Sequence, residues 1–165
     1  MMDGTLAAPL LFARRTPPEG VALIKDYEGL HLTPYLCPSR VWSIGYGHTR
    51  TVRAGMQITP AEADQLLDDD LRVVERAVQR MVTVPLNDHQ FAALVSFTFN
   101  VGIANFERST LLALLNRGWY EQVPAQLMRW DKAVNGEALG GLSRRRAAEA
   151  RLWNLPVYQT EPEES

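Results

Sequence analysis

The sequence predicts a mainly helical α+β protein, in which a small antiparallel β lobe and a larger helical lobe are joined by one long helix. Three observations support this class. The stretch 30–52 is rich in prolines, aromatics and β-branched residues and is the only plausible β region. An apolar stripe with helical spacing runs from 60 to 82, which is long enough to join two lobes. The stretch that begins at Asn87 is apolar nearly all round, which is typical of a helix at the centre of a core.

The composition excludes several classes of protein. The chain has 165 residues, of which 46% are hydrophobic and 22% charged, close to the globular average. A formal net charge of −2 argues against a dedicated nucleic-acid binder, because such proteins usually carry a basic domain. The single cysteine, Cys37, excludes an intramolecular disulfide, and no paired-cysteine pattern indicates a metal site. We therefore expect no cofactor, no metal and no nucleic-acid partner.

The first helix is predicted from Thr16 to about Glu28. Thr16 precedes two prolines and stands three positions before Glu19, which is the pattern of a capping box. Gly29 is placed to end the helix. Glu28 shares the apolar, inward face, at the end where the helix dipole is negative. Both partial burial and the dipole favour a protonated carboxyl, which is what a general acid requires. The alternative is that Glu28 forms a structural ion pair with an arginine.

Cys37 and Ser43 are the next candidates. If the β-hairpin folds back over the end of the first helix, their thiol and hydroxyl face Glu28 and can hold a water molecule between them. Taken alone, a lone cysteine is more often a small buried hydrophobe, and a serine in a turn is more often only a turn residue.

A glycine-rich run follows the hairpin. Gly45, Tyr46 and Gly47 allow a tight turn or a close approach of the backbone to a ligand, so we regard them as candidates for substrate binding. His48 comes next, but no second histidine or carboxylate stands at metal-ligand spacing. A structural histidine is therefore favoured, with Asp70 on the inward stripe of the long helix as its partner.

The helical lobe is completed by three further predicted helices. They run from 109 or 110 to 116, from Trp119 to about Trp130, and from Ser143 to Trp153. The last helix opens with three consecutive arginines, 144–146, where the helix dipole disfavours cations. We expect a carboxylate to hold at least one of them.

Taken together, these residues resemble the phage-type lysozymes of glycoside hydrolase family 24. The motif of that family is Glu-x8-Asp/Cys-x5-Thr, and Glu28, Cys37 and Ser43 stand at its spacing. Four further motifs follow in order, so that the resemblance covers about 21–153. They are Phe99-Asn100-Val101-Gly102, Ser109-Thr110-Leu111-Leu112, Leu115-Asn116-x-Gly118 and Gly141-Leu142-x-x-Arg145-Arg146-x-x-Glu149-x-x-Leu152.

The resemblance implies a lysozyme-like two-lobed fold around a cleft. It also implies hydrolysis of the β-1,4 bond between N-acetylmuramic acid and N-acetylglucosamine in bacterial peptidoglycan. In this family the glutamate protonates the leaving oxygen, and the other two motif residues position the attacking water, usually with inversion. These roles fall to Glu28, Cys37 and Ser43.

The resemblance further implies four supporting residues. The histidine after the glycine-rich run is a structural partner of an acidic residue on the long helix, which assigns His48 to Asp70. An arginine of the last helix approaches the catalytic glutamate in this family. Arg145 or Arg146 is therefore the expected counter-charge, and the spacing does not decide between them. We also expect the acidic residues of 62–75 to face away from the cleft.

Two of the motif residues leave alternatives open. Ser43 replaces a threonine and so lacks the methyl group that stiffens the side chain. Cys37 is a permitted variant of the motif, but its thiol is largely protonated at neutral pH, which makes it a poorer base than aspartate. The alternatives are a lytic transglycosylase, which gives 1,6-anhydro products, and a non-catalytic peptidoglycan-binding phage module. The family motifs argue against the first, and the intact Glu28 against the second.

The predicted organisation places the lysozyme-like catalytic domain at 16–154. Its parts are a β lobe at about 30–58, a linking helix at about 60–82 and a helical lobe at about 83–154; a flexible N-terminal arm, 1–15, and an acidic C-terminal tail, 155–165, flank it. The apolar stretch 6–13 is too short to span a bilayer. We expect a monomer without stable membrane association, which remains in the host cytoplasm until a holin releases it to periplasmic peptidoglycan. A virion-associated lysozyme is the alternative.

Overall fold

The computed structural model describes residues 13–132, 136–137 and 139–157. These residues form seven α-helices and one two-stranded antiparallel sheet, which confirms the predicted α+β class. The elements are α1 (Pro18–Glu28), β1 (His31–Leu36), β2 (Trp42–Gly45), α2 (Pro60–Met81), α3 (Asp88–Val101), α4 (Ile103–Glu107), α5 (Thr110–Leu115), α6 (Val123–Leu127) and α7 (Gly140–Trp153). Within the described residues, no helix is long and apolar enough to span a membrane.

Capping boxes fix the starts of α2 and α3. At α2, the Thr59 hydroxyl accepts from the Glu62 N–H at 3.2 Å, and the Glu62 carboxylate accepts from the Thr59 N–H at 2.7 Å. Asn87 and Gln90 make the same exchange at α3. Each box satisfies two backbone N–H donors that a helix start leaves open, so both predicted starts are confirmed.

The main core surrounds α3. All eight residues from Phe91 to Thr98 are buried, and the helix packs against α1, α2 and α7. Each large apolar side chain buried in this way contributes about 1.5–3 kcal/mol. A smaller cluster of Ile44, Ile58 and Ala63 lies under the β lobe. The cores of the two lobes are therefore separate, and α2 contributes to both.

The β-hairpin has two distinct faces. Tyr35 is paired with Ser43 and Leu36 with Trp42, in an antiparallel register. Because side chains alternate along a strand, the first pair and the second pair lie on opposite faces. The connecting turn is closed by the Cys37 N–H, which donates to the Val41 carbonyl at 3.0 Å. This register determines which side chains face the end of α1.

The predicted cap of the first helix is wrong. Pro17, not Thr16, occupies the N-cap position, and α1 has no side-chain cap. Thr16 instead donates from both its N–H and its hydroxyl to one oxygen of Glu75, at 2.7 Å each. Glu75 lies on α2 and is 2% exposed, so a buried carboxylate, and not the local helix end, determines the position of Thr16.

Two predicted helices also have different bounds. The single helix expected from Trp119 to Trp130 is wrong: α6 is only five residues long and is flanked by the 3-10 helices Tyr120–Gln122 and Met128–Trp130. Pro124 lacks the N–H that a continuous helix would need there. The last helix begins at Gly140, three residues before Ser143. Its arginines therefore lie in the second turn, away from the dipole end that was expected to disfavour them.

Part of the predicted arm is attached to the helices. Arg14 pairs with Asp88 at 2.8 Å, and Arg15 pairs with Asp68 and with Glu75, the latter at 3.0 Å. The rest of the arm, 1–12, and the tail from 158 onwards lie outside the described residues.

Candidate active site

A cleft of about 390 Å³ lies between the two lobes. The β lobe, α2, and the segment from the end of α3 into α4 each supply part of its wall. Its lining is Glu28, Gly47, Thr49, Arg50, Asp70, Val73, Val74, Thr98, Phe99, Asn100, Gly102 and Ile103. The volume is within the range of ligand-binding clefts.

Glu28 borders this cleft as the last residue of α1. Gly29 ends the helix with a φ of 70°, a conformation that a glycine adopts without strain. The Glu28 side chain is 20% exposed, and its Oε1 accepts a hydrogen bond of 2.5 Å from Arg145. The Glu28 carboxylate therefore forms the ion pair with an arginine that was the alternative to a catalytic role, and it is also open to the cleft.

Gly47 lies directly against the same carboxylate. Its φ is +86°, and a Cβ atom added there would stand 3.3 Å from Glu28 Oε2. The close approach expected for the glycine-rich run is thus made at Gly47, and its partner is Glu28. Gly45 instead packs against Ala63, and Tyr46 contacts both hydrophobic clusters. Of these three residues, Gly47 lines the cleft as the structure describes it.

A buried cluster of charged residues holds Arg145. This guanidinium is 3% exposed and donates to three oxygens: Glu28 at 2.5 Å, the Ser96 carbonyl at 3.3 Å and Glu149 at 3.3 Å. Since guanidinium nitrogens only donate, each of these oxygens is an acceptor. Of the two arginines that the sequence left open, Arg145 is the one that meets Glu28.

Arg146 occupies the other side of the same cluster. It is 0% exposed, donates to Asn100 at 2.9 Å and to Glu149 at 3.1 Å, and its Nε lies 2.8 Å from the second Glu149 oxygen without hydrogen-bond alignment. Burial lowers the pKa of Arg146 to about 10, so it remains charged at neutral pH. Two carboxylates, Glu28 and Glu149, thus balance two guanidinium groups.

Glu149 is the residue of this cluster that the sequence identified only as part of a family motif, without a role. It is 0% exposed and contacts both arginines, and the Ser96 hydroxyl donates to it at 2.7 Å. Burial raises the pKa of Glu149, and the arginines and Ser96 oppose that shift. Its position three and four residues after the arginines is the spacing of a helical ion pair, which was a usable signal. Ser96 gave no such signal, because its apolar neighbours dominate α3.

His48 has both ring nitrogens occupied. Nδ1 lies 2.8 Å from Asp70, and Nε2 lies 2.9 Å from the Thr51 hydroxyl. Asp70 also accepts from Arg50 at 2.8 Å and lines the cleft. The expectation that the acidic residues of 62–75 all face away from the cleft is therefore wrong for Asp70, whose partners on the β lobe draw it to that wall.

Cys37 and Ser43 lie on the hairpin, and neither lines the cleft nor contacts Glu28 directly as the structure describes them. The Ser43 hydroxyl donates to the Val41 carbonyl at 3.3 Å, and the Cys37 Sγ lies 2.9 Å from the Ser39 hydroxyl. That contact with Ser39 is the main cause that lowers the pKa of the thiol.

Tyr35, on β1, is a hairpin residue near Glu28 that the sequence did not single out. Burial raises the pKa of Tyr35, the Glu28 carboxylate raises it further, and a hydrogen bond with Ser43 lowers it. Ser43 is 2% exposed whereas Trp42, the residue before it, is 56% exposed, so the face that carries Ser43 and Tyr35 is the inward face, on the side of Glu28.

A glutamate that an arginine fixes in a cleft between a small β lobe and a helical lobe is the arrangement expected of a lysozyme-type glycosidase. The sequence model of the Phage lysozyme family matches residues 25–149. The chain belongs to the phage lysozyme family, and it is accordingly an enzyme, a lysozyme, whose substrate class is peptidoglycan.

Individual relatives agree with this assignment. An endolysin of Acyrthosiphon pisum secondary endosymbiont phage 1 is 42% identical over 138 residues, which cover 82% of this chain and 94% of the relative. A SAR-endolysin of Escherichia phage Mu is 38% identical over 128 residues, 78% of this chain and 74% of the relative. The solved muramidase domain of SpmX from Asticaccaulis excentricus superposes with a TM-score of 0.82 at 40% identity, over 87% of this chain and 99% of that domain.

Proposed function

We propose that this lysozyme is an endolysin that cleaves the β-1,4 bond between N-acetylmuramic acid and N-acetylglucosamine, with Glu28 as the general acid. One observation carries the proposal: Arg145 holds one oxygen of a carboxylate that borders the cleft. Because Arg145 only donates, Oε1 is an acceptor, and the transferable proton of Glu28 resides on Oε2. This is the oxygen beside Gly47.

The chemical step begins with the transfer of that proton to the glycosidic oxygen, as the bond from this oxygen to the anomeric carbon breaks. A water molecule attacks the anomeric carbon from the opposite face, which inverts its configuration. Cys37 and Ser43 position this water, as their place in the family motif implies, although neither side chain lines the cleft that the described residues form. Contact with Ser39 lowers the pKa of the Cys37 thiol, which favours the thiolate and so a role for Cys37 as the base that accepts the proton of this water.

The remaining site residues act through their neighbours. Arg145 orients Glu28, and Arg146 holds the common carboxylate from its other side. His48 and Asp70 connect the β lobe to α2, and so fix one wall of the cleft. Gly47 admits the Glu28 carboxylate to the cleft because it carries no side chain.

The test compares wild type with Glu28→Gln and with Asp26→Asn, which removes an exposed carboxylate from the same helix. Loss of turbidity is followed in outer-membrane-permeabilised Gram-negative cells, and the released muropeptides are analysed by mass spectrometry. We expect Glu28→Gln to lose about 10²–10⁴-fold in rate and Asp26→Asn to retain wild-type activity.

The products decide among the alternatives. Reducing-end muramic acid supports a lysozyme, whereas 1,6-anhydro ends would assign a lytic transglycosylase. No lysis by a folded wild type would favour the peptidoglycan-binding module. NMR of early products tests the anomeric outcome, and retained configuration would contradict inversion by water.

We also propose that the enzyme is a monomer held in the host cytoplasm until a holin opens the membrane. The relative named simply an endolysin is consistent with this route, whereas the relative named a SAR-endolysin favours periplasmic release by a second route. Expression with and without a holin, followed by cell fractionation, separates the two. Lysis and periplasmic enzyme in the absence of a holin would contradict holin dependence.

A further inference from the structure

A second concave site lies on the β lobe. This outer pocket, of about 320 Å³, is lined by Pro34, Trp42, Val52, Arg53, Ala54 and Gly55. It shares none of these residues with the cleft that Glu28 borders. Its size is at the lower end of the range of ligand-binding pockets, and its lining is mainly apolar with one charged group, which is the usual composition of such a site.

The outer pocket lies on the hairpin face that is turned away from Glu28. Ser43 and Tyr35 share the face towards Glu28, and Trp42 lies on the opposite face in register with Leu36. Trp42 is 56% exposed and Leu36 50% exposed. A tryptophan with more than half of its surface in water, at the edge of a pocket, has a free aromatic face for a ligand.

Arg53 supplies the charge of this site. Within the described part of the chain, its guanidinium has no carboxylate or other side-chain partner. An unpaired guanidinium beside an apolar wall favours a ligand that carries a carboxylate, which it can bind with two parallel hydrogen bonds.

We propose that the outer pocket is a second peptidoglycan-binding site, in which a sugar ring stacks on Trp42 and a carboxylate binds Arg53. This inference rests on the proposed function. Peptidoglycan offers both groups: the C–H faces of its pyranose rings are apolar, and its stem peptides carry carboxylates. A single arginine is too little charge for stable binding to an anionic membrane, for which polybasic clusters are usual.

The physical benefit is retention on the polymer. When the cleft releases a cut strand, the outer pocket still holds the wall, so rebinding takes place at a high effective concentration. The site therefore affects binding to intact sacculi and leaves the chemical step unchanged.

The test measures co-sedimentation with purified sacculi in the Glu28→Gln background. We expect Trp42→Ala to weaken binding on the order of tenfold. Trp119→Ala is the matched control, because Trp119 is also about half exposed, at 47%, but lies in the helical lobe. With active enzyme and short soluble fragments, Trp42→Ala should retain the wild-type kcat. Equal sacculus binding by the two tryptophan variants would overturn the proposal.

The role of Arg53 is tested separately. Arg53→Gln should weaken binding to intact sacculi and have no effect on binding to sacculi whose carboxylates have been converted to methylamides with a carbodiimide. An effect of the same size on both substrates would overturn the carboxylate assignment.

Two other partners are tested with Trp42→Ala. If this variant binds sacculi as wild type does but loses self-association, the pocket binds a second copy of the chain. If it binds sacculi as wild type does but loses binding to phosphatidylglycerol vesicles, the pocket binds a membrane. If the proposed function itself fails, the wild-type enzyme does not hydrolyse short fragments. That reaction does not depend on the outer pocket, so the two failures can be told apart.

Discussion

The two sides of the cleft are built in different ways. On the helical side, Arg145 holds Glu28, and Glu149 holds Arg145. Arg145 is 3% exposed and Glu149 is 0% exposed, so both partners of this chain of ion pairs are buried. On the hairpin side, Cys37 lies in the turn and Ser43 on β2, and their side-chain contacts stay within the hairpin. Buried ion pairs allow little change in the identity of their members, whereas side chains with such local contacts on a hairpin held by main-chain bonds can change at less cost.

The difference accounts for where this chain departs from its family motif. The glutamate is kept, whereas the departure at Ser43 and the permitted variant at Cys37 both fall on the hairpin side. A hydroxyl or thiol there needs only to reach a water molecule. The acid, in contrast, needs a fixed orientation, because small displacements of a reacting group are costly in rate.

The strongest test of the comparison is Glu149→Gln. The substitution leaves two buried guanidinium groups with one carboxylate, that of Glu28, so we expect a loss of about 3–5 kcal/mol in the free energy of unfolding. Asp64→Asn is the control, because it breaks a surface pair with Lys25, at 2.8 Å, whose carboxylate is 53% exposed. That pair should be worth less than about 1 kcal/mol. Chemical denaturation measures the free energy of unfolding of both variants. Equal losses would show that the buried cluster on the helical side is no more important for stability than a surface ion pair.

Gly47→Ala probes the point where the two sides meet. The variant forces an L-residue to a φ of +86° and places a methyl group 3.3 Å from Glu28 Oε2. Gly118→Ala has a nearly identical φ, +85°, with no atom within 4 Å of the new methyl group. Both should lose about 1–2 kcal/mol in stability. Only Gly47→Ala should also lose activity, on the order of 10²-fold in kcat. Full activity in a folded Gly47→Ala enzyme would show that Glu28 tolerates displacement.

Cys37→Asp should have the smallest effect on the maximal rate, and its signature is pH dependence. If Cys37 accepts the proton from water, activity requires its ionised form. Aspartate is ionised from about pH 4, below any thiol in this setting, so the acid limb of kcat/KM should move to lower pH. Ser39→Ala should move the limb to higher pH, because it removes the main contact that lowers the pKa of the thiol. Coincident acid limbs in all three enzymes would show that Cys37 does not act as the base.

Local patterns in the sequence predicted much of the fold. The helices predicted to start at about 60 and at Asn87 do start there, and each start is fixed by a capping box whose bonds lie within one turn of the chain. The same pattern failed at Thr16, since a buried carboxylate 59 positions away competes for its donors. Such a competition has no local signature.

In the site, too, the sequence does not reveal contacts between residues that are far apart along the chain. Spacing identified Glu28 and an arginine run as separate features, yet their bond joins residues 117 positions apart. Arg145 and Arg146 are adjacent and both buried, so helix periodicity alone could not choose between them. The choice depends on how α7 is rotated against α3, which is a property of the packed core.

Glu75 sets a practical limit on shortening the polypeptide from its start. Its carboxylate is 2% exposed and is neutralised and hydrogen-bonded by Arg15 and Thr16, the residues immediately before α1. A truncated version that begins at Arg14 keeps these partners, whereas one that begins at Pro17 leaves a buried negative charge without them. The minimal folding unit of this lysozyme therefore extends before its first helix, by the few residues that this one acid requires.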